Sequence, residues 1–243
     1  MKPTSTPVHA RHYDYDQVWR EVYGDIQKHG PAHHHVCRIV RRMLSEIEYD
    51  SVLDVGCGQG HNYALLTKNG LTPRFVGIDI SEQALEVARK RAPGEFTQCD
   101  IQKGHVQGTW DLVACSLVLE HLVDDDAAIR HMRSMTGRYL LVTSIAGDFE
   151  RYRKWDETQG HVRNYKVGEL EQKLRDNGFR IRKAIYWGFP FYSPIGRTLQ
   201  NHGHVGLGPF TRRARLVAAI TKWLYYLNSS RRGDMVFILA EPA

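Results

Sequence analysis

The nine residues Val52-Leu53-Asp54-Val55-Gly56-Cys57-Gly58-Gln59-Gly60 constrain this chain more than any other stretch. Val52 to Val55 has the length and apolarity of a buried strand. Glycines follow at alternate positions, and His61 to Lys68 then reads as helical. Lacking Cβ atoms, the turn can adopt φ > 0 and lets a ligand lie against the main chain. The first N–H groups of a following helix have no intrahelical partner and suit a carboxylate or phosphate. A ligand seat is therefore expected at the end of the first strand.

Spacing narrows the ligand. A dinucleotide fingerprint, G-x-G-x-x-G, needs its third small residue one position beyond Gly60, where His61 stands. A second apolar run, Phe75-Val76-Gly77-Ile78, ends in Asp79. A carboxylate at the end of a second strand accepts hydrogen bonds from a ribose diol, whichever nucleoside carries it.

The whole series chooses among nucleosides. VLDVGCGQG (52–60), FVGIDIS (75–81), FTQCDI (96–101), DLVACSLVLEHL (111–122) and YLLVTSI (139–145) together resemble, in order and spacing, the class I S-adenosylmethionine-dependent methyltransferases. The likeness is to their small-molecule branch, near the ubiquinone-biosynthesis and sugar methyltransferases, and covers residues 50–188. It implies S-adenosylmethionine as cofactor and a Rossmann-like α/β fold: a seven-stranded, mostly parallel sheet with helices on both faces and an antiparallel last strand. It also implies that Gly56, Gly58 and Gly60, with Asp54, flank the methionine part, that Asp79 and Ile80 meet the ribose, that Asp100 and Ile101 meet the adenine, and that Ser116 lies at the same edge. Taken singly, each acid is equally readable as a helix cap or turn residue.

A chain of 243 residues suits one α/β domain with additions. The expected division is a tail over 1–12, N-terminal helices over 13–48, a core over 50–188, a basic helical insertion over 189–233 and a last strand over 234–241. The apolar runs fall far short of the ~20 residues of a membrane span, and the N-terminus lacks an apolar signal segment, so a soluble, cytoplasmic protein is expected. Cys37, Cys57, Cys99 and Cys115 form no C-x-x-C pair and read as reduced. Cys115 is a poor match to the nucleophile of cytosine-C5 methylation, because Ala114 stands where a proline is expected.

Before the first strand, Val18, Trp19, Val22, Tyr23 and Ile26 mark an amphipathic helix over 13–28. Val36, Ile39, Val40, Met43, Leu44 and Ile47 mark another over about 32–48. By resemblance these helices form a lid. His33-His34-His35 invites a metal reading, but adjacent helical residues point about 100° apart, and a solvated helix start is the expectation. One of these histidines, or Arg38, could reach the cofactor's carboxylate.

Between Asn177 and Gly233 there is no Asp or Glu, whereas Arg180, Arg182, Lys183, Arg197, Arg212, Arg213, Arg215, Lys222, Arg231 and Arg232 are all basic. Such polarity over a substrate entrance implies an anionic small-molecule partner. Leu216, Ile220, Trp223, Leu224 and Leu227 form one helical stripe, read first as a core face and second as a peripheral membrane contact. Trp187, Phe189, Phe191 and Tyr192 make either a pocket wall or a packed loop.

Methyl transfer needs an acceptor held about 3 Å from the methyl carbon and in line with the bond that breaks. A hydroxyl or protonated amine must also lose a proton, a task for histidine. His161 is expected to be the base and His121 a cofactor or substrate contact. Some relatives hold a divalent ion with Glu-x-x-Glu-His and a distant histidine. Here Leu117 takes the first Glu position, so no metal is expected. The expected function is methylation of an oxygen, less favourably a nitrogen, on an anionic small molecule such as a phosphorylated or nucleotide-linked sugar or natural product. An RNA methyltransferase is disfavoured, since no Asn-Pro-Pro-Tyr type motif or RNA-binding module is visible. An NAD-dependent oxidoreductase is disfavoured by His61, and a non-catalytic cofactor binder or a membrane-associated enzyme acting on a lipid-linked substrate are further alternatives.

Overall fold

The structure, a computed structural model, describes residues 30–72, 74–202 and 212–243. The expected tail and the helix over 13–28 lie outside the described residues. The remaining elements alternate as the motif order requires: α1 (Pro31–Leu44), β1 (Ser51–Val55), α2 (Tyr63–Leu66), β2 (Arg74–Asp79), α3 (Glu82–Arg91), β3 (Glu95–Gln98) and β4 (Trp110–Ser116). They continue as α4 (Asp125–Met135), β5 (Thr136–Ile145), α5 (Phe149–Thr158), α6 (Glu169–Asp176), β6 (Phe179–Trp187), α7 (Arg197–Asn201), α8 (Arg212–Leu224) and β7 (Met235–Pro242).

The seven strands form one sheet in the order β3-β2-β1-β4-β5-β7-β6. Strands β1 to β5 pair in parallel, and β7 inserts antiparallel between β5 and β6. Alternate residues of each central strand feed two cores. Val52, Leu112, Leu141 and Phe237 pack under α1 and α3, while Leu53, Val113, Val142 and Val236 pack under α4 and α6. Both faces being covered, the central strands β1, β4 and β7 are buried almost throughout, whereas the edge strands β3 and β6 keep exposed residues. The strand order reverses between β1 and β4, so a crevice opens at their carboxyl ends.

Local chemistry sets the helix boundaries. Ser81 Oγ accepts from Ala84 N at 3.1 Å to start α3, and Asp124 Oδ1 accepts from Ala127 N at 2.8 Å to start α4. The helix expected over 61–68 shrinks to the four residues of α2, because Lys68 and Asn69 turn into the left-handed region. So short a helix contributes little dipole, and any anion at the glycine turn meets loop N–H groups instead. The helix expected to reach residue 48 ends at Leu44, although Ile47 and Tyr49 remain buried beyond it.

Two other expectations fail, for His35 and the α8 stripe, and the open choice at Trp187 and Tyr192 is decided. His35 is not solvated: its ring is fully buried, stacks on Trp187 at 5.2 Å and bonds Lys222 O through Nε2 at 2.9 Å. Burial lowers its pKa to about 4. Trp187 and Tyr192 are buried and stacked at 5.4 Å, so they pack the core rather than wall a pocket. The stripe on α8 points outward, against its reading as a core face.

Candidate functional site

The expected cofactor residues all lie at the carboxyl edge of the sheet. Asp54 is in β1, with Gly56 to Gly60 after it, Asp79 closes β2, Asp100 and Ile101 follow β3, and Ser116 closes β4. Gly56, Gly58 and Gly60 take φ of +72°, +51° and +74°. A Cβ on Gly56 would stand 2.3 Å from Val118 Cγ2, and one on Gly77 would stand 2.8 Å from both Cys57 Sγ and Phe96 Cδ1. The turn is thus pressed against β2 and the segment after β4 in a way no larger residue allows.

Asp79 holds this arrangement together. Its Oδ2 accepts from Gly58 N at 2.8 Å and its Oδ1 from Ser81 N at 2.9 Å, while Gly56 N and Cys57 N both donate to Ile78 O. Asp54 is different. It is fully buried, and neither carboxylate oxygen has a hydrogen-bond partner among the described residues. Burial, then the nearby charge of Asp79, pushes its pKa up to about 8. A buried carboxylate without a partner is costly unless a ligand supplies the donor, and an ammonium group meets that need. The glycine cradle and this orphaned acid fit the amino-acid end of S-adenosylmethionine.

Beside them, Asp100 Oδ1 accepts from Gln102 N at 3.1 Å and its Oδ2 pairs with Lys103 at 2.9 Å. Ile101 is buried, whereas Ile80 is exposed, its carbonyl bound by Gln98 Nε2. Ser116 Oγ bonds Thr143 Oγ1 at 2.7 Å. The next residue, Leu117, has φ +57°, a conformation that costs a non-glycine residue energy and clusters at functional sites.

That bend leads into the turn Leu119–His121, where a second group of side chains meets. His121 and His161 lie edge to face with centroids 4.8 Å apart, and Val162 N donates to Glu120 O at 2.9 Å. Glu120, His121 and His161 each offer a ligand atom within 4.8 Å of the others. Glu120 Oε2 accepts from Ser144 Oγ at 2.8 Å, but its Oε1 is buried without a hydrogen-bond partner among the described residues. Burial raises the pKa of Glu120. His121 bonds Gly160 O through Nδ1 at 3.1 Å, and burial, then His161, lowers its pKa to about 3, so it stays neutral. A neutral His121 that bonds a carbonyl through Nδ1 carries its proton there.

Sequence reasoning missed the support of His161. Its Nδ1 lies 3.5 Å from Asp156 Oδ1, at ion-pair distance. Asp156 sits on α5, a helix that was not anticipated, and is gripped by both bonds of Arg197 Nη2 at 2.6 Å and by Asn164 Nδ2 at 2.8 Å. Burial opposes its charge, yet His161, Arg197 and Asn164 hold the carboxyl below the usual range. Arg197 is fully buried, 4.2 Å from the Tyr152 ring centroid and 3.2 Å from Asp234 Oδ2. The only signal available in the sequence was Tyr152 and Asp156 at helical spacing within a charged stretch.

The basic segment also changes meaning. Arg180 and Arg182 pair with Glu241, Lys183 with Glu46, and Arg197 with Asp156 and Asp234. Four of the ten cations are therefore compensated by acids from elsewhere in the chain. Three of those four, Arg180, Arg182 and Lys183, lie toward the amino end of β6, away from the site.

The family described as Methyltransferase domain matches residues 27–184. The chain is 32% identical over 172 residues to a trans-aconitate 2-methyltransferase from Azoarcus sp. (strain BH72), covering 67% of this chain and 64% of that protein. It is 30% identical over 110 residues to a ubiquinone biosynthesis O-methyltransferase from Vibrio parahaemolyticus, covering 42% and 46%. The chain thus spans less than two thirds of the length of these curated relatives. In fold it is similar to magnesium protoporphyrin IX methyltransferase from Synechocystis PCC 6803 with bound SAH, at a TM-score of 0.61 and 20% identity over 94% of each chain. The glycine turn, the strand order and the matched span together make this chain a member of the methyltransferase-domain family, whose cofactor is S-adenosylmethionine.

Proposed function

We propose that the chain methylates an oxygen, less favourably a nitrogen, of a small anionic molecule. The cofactor supplies an electrophilic methyl group. Asp54 would receive its ammonium, Asp79 and Ile80 its ribose, and Asp100 with Ile101 its adenine. The glycine turn lets the methionine part lie against the main chain.

The observation that carries the acid–base reading is the convergence of His161 with His121 and Glu120 just beyond β4, backed by Asp156 at ion-pair distance. A carboxylate at Nδ1 leaves Nε2 to take the acceptor's proton and stabilises the imidazolium that results. His121, kept neutral, serves as a contact and not as the base. The anionic acceptor is supported by the remaining excess of cations between Asn177 and Gly233 and by the trans-aconitate substrate of the Azoarcus relative; oxygen as acceptor is supported by the Vibrio relative's name.

The test is His161→Ala, which should lower turnover about 100-fold or more while leaving cofactor affinity within about twofold. Unchanged turnover with a small acidic acceptor would make His161 structural.

A second reading is favoured by the partnerless Glu120 Oε1: a divalent ion on Glu120, His121 and His161. Two imidazoles and one carboxylate match a zinc-type donor set better than the oxygen ligands magnesium prefers, and Leu117 withholds a second acid. Loss of activity in a chelator, restored by one added metal, would select it.

A further inference from the structure

Helix α8 wears its apolar residues on the outside. It packs on α1 through small and polar positions. Ala218 and Ala219 line a cleft of about 400 Å³ against α1, the Lys222 carbonyl receives His35, and Tyr225 just beyond the helix is buried. The large apolar residues face away, with Leu216 64%, Ile220 54%, Trp223 70% and Leu227 68% exposed. Steps of four and three residues place Leu216, Ile220 and Trp223 on one stripe of α8, and Leu227 follows in the 3-10 turn Tyr225–Leu227.

The segment that carries the ridge is charged with a single sign. No acid occurs from Asn177 to Gly233. Arg215 and Lys222 lie at the cleft between α8 and α1, to one side of the stripe, Arg231 and Arg232 follow it in the chain, and among the described residues Arg215, Lys222 and Arg231 form no ion pair. Tyr226, beside Trp223 with centroids 5.6 Å apart, turns instead to α1, its hydroxyl bonded to His34 Nε2 at 3.1 Å and its ring 4.7 Å from that of His35, so Trp223 is the aromatic ring that the stripe itself offers. Such rings favour the boundary between water and hydrocarbon.

We infer that α8 docks this protein on an anionic lipid surface, with the Leu216–Leu227 stripe entering the headgroup boundary and the neighbouring cations meeting lipid phosphates. A second copy of the chain is disfavoured, because a two-fold contact through this face would bring like charges together. The inference does not depend on which acceptor is methylated, and vesicle binding tests it separately from activity.

The experiment is sedimentation of the full chain with vesicles of phosphatidylcholine alone and of phosphatidylcholine with phosphatidylglycerol. The protein should sediment with the anionic vesicles only, and less so as salt rises. Leu216→Ser/Ile220→Ser/Trp223→Ser should weaken that binding at least about tenfold, with thermal unfolding and cofactor binding unchanged, since exposed substitutions rarely perturb a fold. Arg215→Glu/Arg231→Glu should weaken it as well. If the triple variant fails to fold, quenching of Trp223 emission in the wild type by bromine-labelled lipid, absent in Trp223→Phe, reports the same contact. The inference is overturned if the wild type ignores anionic vesicles, if it binds neutral ones equally, or if the serine variant binds as the wild type does. A solution mass that the serine variant halves would also overturn it, assigning the ridge to a dimer.

Discussion

Two buried carboxylates at the same sheet edge have opposite fates. Asp54, in β1, has no partner, and burial raises its pKa to about 8. Asp156, on α5, is held ionised by Arg197, Asn164 and His161 despite burial. The difference lies in who supplies the positive charge. In the His161 region the chain brings its own cation from 41 residues further along, so His161, the proposed base, is backed before any ligand arrives. Around Asp54 the described residues supply no hydrogen-bond partner, and the cofactor's ammonium is the donor proposed for it. A pre-satisfied acid orients a side chain, whereas an unsatisfied one binds.

The largest effect should come from breaking the satisfied side. Arg197→Ala leaves Asp156 buried without its main cation, and removal of one member of a buried pair typically costs about 3–5 kcal/mol. Urea denaturation should show a loss of that order, with Arg197→Ala/Asp156→Ala recovering part of it. A loss below about 1 kcal/mol would mean that water reaches the pair.

Next in size is Asp79, which bridges the glycine turn to β2. Asp79→Ala should weaken S-adenosylmethionine binding by roughly 1.5–3 kcal/mol, the worth of hydrogen bonds to a charged group. Titration calorimetry would measure it, and NAD should give no heat with either protein. Tight NAD binding would contradict the cofactor assignment.

The pH dependence sharpens the contrast further. An unfolded Asp ionises near 3.9, whereas folded Asp54 does so at about 8. Between those values the folded state holds the extra proton, so this group's contribution to stability declines as pH rises from about 4 to 8. Asp54→Asn removes the charge and should gain in Tm relative to the wild type across that window, while binding the cofactor more weakly. A Tm difference that is flat from pH 4 to 8 would show that Asp54 is solvated or paired. For Asp156 the sign reverses: its carboxyl is held low, so its stabilisation is present above the ordinary Asp pKa and is lost as pH falls below it.

Much of the frame was legible from local pattern. The helix over 82–91 and the strand over 179–187 are bounded by local signals, Ser81 as cap before the first and Asn177-Gly178 and Gly188 around the second. The positive φ at Gly56, Gly58 and Gly60 follows from three residues with no Cβ. Helix α5 was not legible, since only Tyr152 and Asp156 along it are buried and its Arg153 is occupied by Glu150 and Glu157 on the outer face. Nor was the outward turn of the α8 stripe, because a 3.6-residue period says which residues share a face and not which way that face points.

By itself, then, the sequence determined the order of strands and helices, the glycine seat and the acids at the strand ends, all properties of neighbouring residues and hydrophobic period. Only the tertiary structure decided that Arg197, Asp156 and His161 form one line, that His35 is interior, and that Arg180 and Lys183 are neutralised by Glu241 and Glu46. Charge and burial depend on residues tens to hundreds of positions away, brought within a few ångströms by the sheet. A count of cations along the chain carries no record of the acids that will meet them.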